Sequence, residues 1–171
     1  MSEEKREYSR VDTRLMAMAK KVSGPNVIPA FHASNLSTMS GDNKYLQDAN
    51  ISEDLKKFLQ SIEQKLDTLL SLQSRNFMEK EYPIKTEVIQ LSGAGLKCLQ
   101  TSELQVNDYI EIILFLSSQP VNMASAIGMV KRVEKKVAVV EFTSMRESER
   151  ESIVQFVFQE QREQIRSTKH D

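Results

Sequence analysis

Two arginines, Arg6 and Arg10, stand four positions apart in the opening stretch Lys5-Arg6-Glu7-Tyr8-Ser9-Arg10. Each guanidinium is a planar fork of N–H donors that matches phosphate oxygens or the O6/N7 edge of a guanine. Far downstream, Gln90-Leu91-Ser92-Gly93-Ala94-Gly95 makes a second polar feature. Ser92 brings a hydroxyl to the end of a predicted strand, and Gly95 permits a positive φ or close approach of the backbone to a ligand. Each feature alone is ordinary. Arginines in a charged tail are generally solvated, and Ser-Gly-Ala-Gly is a common strand-to-strand turn.

Catalytic chemistry finds no support elsewhere. His32 and His170 are the two histidines, one in a predicted loop and one beside the C-terminus, and no metal-ligand spacing of His or Cys occurs. Cys98 has only Lys97 as a basic neighbour and lies in a predicted strand, which reads as a buried small hydrophobe rather than a nucleophile. The carboxylates fall mainly on helices and turns, with no paired arrangement for acid–base work. No enzyme, metal or cofactor is expected.

Composition narrows the class further. The chain has 171 residues and a formal net charge of −1, so it lacks the basic excess that binds nucleic acid or acidic membranes non-specifically. Lys131-Arg132 and Lys135-Lys136 flank a predicted hairpin without stacking aromatics, and read as a solvated edge that deters sheet-to-sheet pairing. The single cysteine excludes an intrachain disulfide and points to a reducing compartment. The charged N-terminus has no signal-peptide core, and no run reaches the ~18 apolar residues of a membrane span. A cytoplasmic protein without a membrane span or a nucleic-acid partner is expected.

The elements that must position these residues form one domain over residues 1–171. Residues 1–12 are a polar, arginine-containing tail. Leu15–Val22 suits either a strand or a short helix, since periodicity alone does not separate them. Gly24, Pro25 and Pro29 break regular structure, and residues 32 to 50 read as a loop. A helix follows over residues 52–78, with Ser52 as N-cap and Glu53 and Asp54 in its first turn. Leu55, Leu59, Ile62, Leu66 and Leu69 recur at alternating spacings of four and three, a heptad seam. Phe58, Leu70 and Leu72 widen it. Residues 23–81 thus form an insertion of loop plus heptad helix.

From Tyr82 the pattern turns to strands: Ile84–Leu91, Leu96–Leu99 and Tyr109–Leu116, then a hairpin of Ala126–Val133 with Val137–Phe142 around Glu134-Lys135-Lys136. Pro120 and Asn122 are read as breakers between strands. Ser144 and Glu147 read as a capping box opening a final helix, with Ile153, Val154, Val157, Phe158 and Ile165 on its apolar face.

An R-x-x-x-R tail before a first strand, followed by a [D/N]-x-S-x-x-G turn, resembles the PilZ family of cyclic di-GMP receptors. Arg6 and Arg10 match the first motif, Ser92 and Gly95 the second, and Gln90 stands where the family has Asp or Asn. Val139–Phe142 looks like the family's last strand and Arg146–Glu163 like its closing helix, so the resemblance covers about residues 5–22 and 82–166. The stretch between is similar to an atypical, tetramer-forming branch with a long heptad helix after the first strand.

The resemblance implies an α+β, mainly β fold: an antiparallel PilZ-type barrel with a C-terminal helix and an inserted coiled-coil helix. It implies cyclic di-GMP as ligand, with Arg6 and Arg10 as anchors, Ser92, Gly95 and Gln90 in support, and Lys5 in place of a frequent extra arginine. A tail loose without ligand would clamp onto the barrel with it and present a surface to a partner protein. Two alternatives stay open. The heptad face either self-associates, with a tetramer expected, or packs on the protein's own barrel. The chain is either a receptor, as the arginines and Ser92 favour, or an oligomeric scaffold that keeps the fold without the ligand, as Gln90 favours.

Overall fold

The computed structural model describes residues 8–31, 50–101, 103–118 and 121–168. Among these residues, six strands and two helices follow in the order β1 (Arg10–Val22), α1 (Glu53–Glu81), β2 (Ile84–Ser92), β3 (Gly95–Leu99), β4 (Tyr109–Ser118), β5 (Val121–Glu134), β6 (Val137–Ser144) and α2 (Glu147–Thr168). The strands close into an antiparallel barrel in the order β1-β2-β3-β6-β5-β4, with β1 pairing back onto β4.

Packing on both faces of the wall decides the segment that periodicity left open. In β1, Ala17 and Ala19 point into the barrel while Met18 between them is equally buried on the outside. The run Ile110–Leu114 in β4 behaves alike: Ile110, Ile112 and Leu114 fill the interior, and Ile113 packs outward with Met18 and Met123. Covered on both faces over residues 17–19, the strand has no polar alternation to display there, which is why Leu15–Val22 carries no clear period. The strand also starts earlier than the segment implied. Arg10, Val11 and Asp12 pair with Ser92, Leu91 and Gln90, so these three residues belong to the barrel and not to a tail of residues 1–12.

The cover over that outer face comes from the insertion. Met78 and Tyr82, at the end of α1, pack with Met18, Ile113 and Met123, and Phe31 joins them. Helix α1 opens on Ser52, whose Oγ accepts the Leu55 N–H at 3.3 Å. It continues past residue 78 because Met78 is anchored on the barrel, and ends when the Tyr82 N–H donates to the Met78 carbonyl at 2.8 Å. Pro83 then disfavours a helical conformation at Tyr82. The seam residues Leu55, Leu59, Ile62, Leu66 and Leu69 are all exposed, as are Phe58 and Leu72. The heptad face therefore does not pack on the protein's own barrel.

Three further boundaries differ from expectation. Asn122 lies within β5, where it pairs with Ser117 beside a bulge rather than ending a strand. Ser144 is the last residue of β6, paired with Ile127, so it cannot cap a helix that opens at Glu147. On α2 the barrel-facing residues are Ile153 and Val157, with Phe156 partly buried, while Phe158 and Ile165 face solvent. The β5–β6 connection is as read: Lys135 and Lys136 form a two-residue turn with φ of 46° and 70°, the handedness that matches strand twist. Residues 32–49 of the loop expected over 32 to 50, His32 among them, and His170 lie outside the described residues.

Candidate functional site

Strand register brings Arg10, one of the two arginines, to the Ser92 turn. Arg10 opposes Ser92 across β1 and β2, Ser92 opposes Gly95 across the β2–β3 turn, and Gly95 opposes Glu141 on β6. One open cleft of about 250 Å³ is lined by Arg10, Gln90, Ser92 and Gly95 together with Lys97, Lys131, Arg132 and Glu141. It is slightly smaller than the ~300–1,000 Å³ of small-molecule clefts. Lys5 and Arg6 lie outside the described residues.

The individual roles differ from those the motif alone implied. No described glycine has a positive φ. Gly95 is needed for sheet packing instead: a Cβ there would run into the Val140 carbonyl oxygen and come within 3.2 Å of the Glu141 Cα. Ser92 is buried, and its Oγ accepts the N–H groups of Ala94 at 3.3 Å and Gly95 at 3.2 Å while donating to the Gly95 carbonyl at 3.1 Å. One donor and two acceptor sites are a hydroxyl's full capacity, so Ser92 is spent on holding the turn. Gln90 donates from Nε2 to Asp12 Oδ1 at 2.8 Å, a cross-strand pair that fixes its amide.

Arg10 is held by its backbone and not by its charge. Its carbonyl accepts from Gln161 Nε2 of α2 at 2.9 Å, and the Asp12 carbonyl accepts from Gln164 Nε2 at 2.8 Å. Its guanidinium is exposed and makes no ion pair with another described residue. The approach to β1 also touches the barrel from Tyr8 onward. Tyr8 lies against Gly93, where a Cβ would sit 2.5 Å from its ring. The Arg150 guanidinium is 5.5 Å from the centre of that ring and donates from Nη1 to the Gly93 carbonyl at 2.6 Å. Helix α2 thus holds both motifs, at Arg10 through Gln161 and at Gly93 through Arg150.

Sequence reasoning missed Tyr8, Arg150 and the clasp they form, because neither residue has a partner within helical or strand spacing. It also misplaced Lys131 and Arg132. In a closed barrel β5 lies between β4 and β6, so there is no edge for these cations to guard. A signal was present: two consecutive charges interrupt the alternation between Val130 and Val133. Such a break marks a β-bulge, which the register shift at Val130/Arg132 bears out.

Cys98 is fully buried, and desolvation pushes its thiol up to about 11. It is therefore protonated and inert near neutral pH. No group of three or more His, Cys, Asp or Glu among the described residues is arranged to hold a metal ion. Among the same residues no helix is long and apolar enough to cross a membrane.

The architecture has counterparts among solved structures. The chain is similar to a pathogenic protein from Xanthomonas campestris, described as a tetrameric PilZ domain self-assembled through a helical bundle. The identity is 16% and the TM-score 0.57, over 94% of this chain and 92% of that one. It is also similar to the Bacillus subtilis inhibitor of motility MotI/DgrA, at 11% identity and a TM-score of 0.52 over 92% of this chain. The match takes in 51% of that protein, so the chain spans about half its length. No family model and no curated protein sequence matches. Identities this low establish the fold alone: a PilZ-like six-stranded barrel with a C-terminal helix.

Proposed function

We propose that this chain is a non-enzymatic, cytoplasmic receptor or adaptor of bacterial second-messenger signalling that binds cyclic di-GMP and acts through protein–protein contacts. The observation that carries the reading is the register Arg10–Ser92–Gly95, which gathers three motif residues onto one cleft beneath an arginine with no ion pair among the described residues. Arg10, and Arg6 from the segment preceding Tyr8, would grip phosphates and guanine edges. Lys5 would add charge, and Gln90, Ser92 and Gly95 would form the floor. A ligand at Arg10 would be felt by α2 through Gln161, which holds the Arg10 carbonyl, and through Arg150, which holds Tyr8 and Gly93. Calorimetric titration with cyclic di-GMP tests this. Binding in the micromolar range that Arg10→Ala and Arg6→Ala each abolish is the expected result. A folded wild type that gives no heat ends the reading.

A specific observation favours the alternative, an oligomeric scaffold of the same fold that takes no ligand. The Ser92 hydroxyl is fully used within the protein, and one donor of the Gln90 amide is taken by Asp12. Both readings include self-association of α1 through Leu55, Leu59, Ile62, Leu66 and Leu69 as a coiled coil, with a tetramer proposed. Support comes from the exposure of all five residues and from the helical-bundle tetramer of the Xanthomonas protein. Light scattering should give the mass of four chains, falling when Leu59 and Leu66 are both changed to Asp. An unchanged mass in that variant removes the helix from the assembly.

A further inference from the structure

The charge around the cleft is lopsided. Arg10, Lys97, Lys131 and Arg132 line it against a single carboxylate, Glu141, in a chain whose formal net charge is −1. Concentration of cations at one concave surface is the footprint of an anionic ligand. The motif residues account for Arg10 only, on the β1 side. Lys131 and Arg132 stand on the opposite side, on β5.

Their placement is a product of local backbone geometry. An undisturbed strand would send two consecutive side chains to opposite faces, and one of them would enter the barrel. The bulge between Val130 and Arg132, opposite Val139 and Val140, inserts one extra residue. Val130 stays fully buried while both Lys131 and Arg132 remain exposed on the outside. Neither cation is locked in place. Lys131 Nζ is 3.3 Å from Glu141 Oε2, with both side chains about half exposed, and Arg132 Nε is 3.8 Å from Glu134 Oε1 in a still more open setting. Exposed pairs of this kind contribute about 0–1 kcal/mol, so an incoming anion displaces the carboxylates at little cost.

We propose that Lys131 and Arg132 form a second anion-binding subsite, facing Arg10 across the cleft, that takes a phosphate group of the bound ligand, with Glu141 competing for Lys131 when the site is empty. The proposal rests on the cleft being a phosphate-ligand site, and cyclic di-GMP, with two phosphodiesters, suits two cationic banks. Glu141 then sets affinity: removing its charge frees Lys131.

The test is calorimetry on the full chain with two probes, cyclic di-GMP and inorganic pyrophosphate. Wild type is compared with K131Q/R132Q, E141Q and K135Q/K136Q, the last removing two charges from the same hairpin outside the cleft. All are exposed positions, and urea melts verify folding. The expected result is binding weakened at least tenfold in K131Q/R132Q, tightened about threefold in E141Q and unchanged within twofold in K135Q/K136Q. The subsite is overturned if K131Q/R132Q binds within twofold of wild type, if K135Q/K136Q weakens binding equally, or if wild type binds neither probe. Pyrophosphate binding that needs Lys131 and Arg132, without cyclic di-GMP binding, keeps the subsite and removes the dinucleotide reading. Loss of cyclic di-GMP in Arg10→Ala with K131Q/R132Q unaffected does the reverse.

Discussion

Glu111 and Glu141 each face a lysine at 3.3 Å on the outside of the same barrel, yet the two ion pairs work in different regimes. Glu111 pairs with Lys20 across β1 and β4, its side chain 1% exposed beneath Tyr82 and Phe31. Glu141 pairs with Lys131 at the cleft, 56% exposed. Around Glu111 every contact is committed. Oε1 accepts from the Tyr82 hydroxyl at 2.9 Å and the Phe31 N–H at 3.2 Å, and Lys20 Nζ also lies 4.6 Å from the centre of the Tyr82 ring. Burial and the neighbouring carboxylate raise the Tyr82 hydroxyl well above its usual range, so it stays a donor. The first cluster fastens the insertion to the barrel. The second leaves its charges available. What separates structure from site here is the depth of the pair and not its length.

Removing one partner is the sharpest way to break the contrast. Glu111→Ala deletes the acceptor for three donors and strands Lys20 beneath the insertion. It should cost about 3 kcal/mol or more in urea denaturation at pH 7. Glu111→Gln retains a carbonyl and should lose less. A cost for the alanine variant below about 1 kcal/mol would place Glu111 in the same class as Glu141, and the distinction would fail.

Gly95 sharpens the comparison from the other side, since it lines the cleft and yet acts as part of the frame. An added methyl meets the Val140 carbonyl oxygen, a backbone atom that moves only if β3 and β6 part. Gly95→Ala should therefore cost about 2 kcal/mol, read from the urea midpoint without any ligand present. A variant as stable as wild type would return Gly95 to the role of leaving room for a ligand.

These two residues also mark how far the sequence was legible. The strands, the closing helix and the pairing of an arginine with the Ser92 turn were readable, because alternation, breakers and motif spacing are local signals. Glu111 was not, although it sits inside the most apolar strand, where a lone charge has to find buried partners. Those partners, Lys20, Phe31 and Tyr82, come from three separate segments, and no spacing rule connects them. The hydrogen bonds of Ser92 to its own turn were not legible for a related reason. A hydroxyl at a turn satisfies either a ligand or its own backbone, and the choice depends on turn geometry that residue type does not encode. Lys131 and Arg132 were read as edge guards because strand order, and with it barrel closure, is a property of the whole chain.

The smallest expected effect is the most discriminating. Glu141→Gln removes the same charge as Glu111→Gln from an ion pair of the same length, but from one that water already solvates. Its stability should stay within about 0.5 kcal/mol of wild type, because an exposed pair exchanges hydration for little Coulomb energy. The change should also be insensitive to salt between low ionic strength and about 0.5 M, where a pair that mattered to folding would weaken by screening. Matched urea curves for the two Gln variants therefore measure burial directly: a clear loss at Glu111 beside no loss at Glu141 keeps the two regions distinct, and equal losses would make the cleft carboxylate a structural residue whose lysine is not available to a ligand.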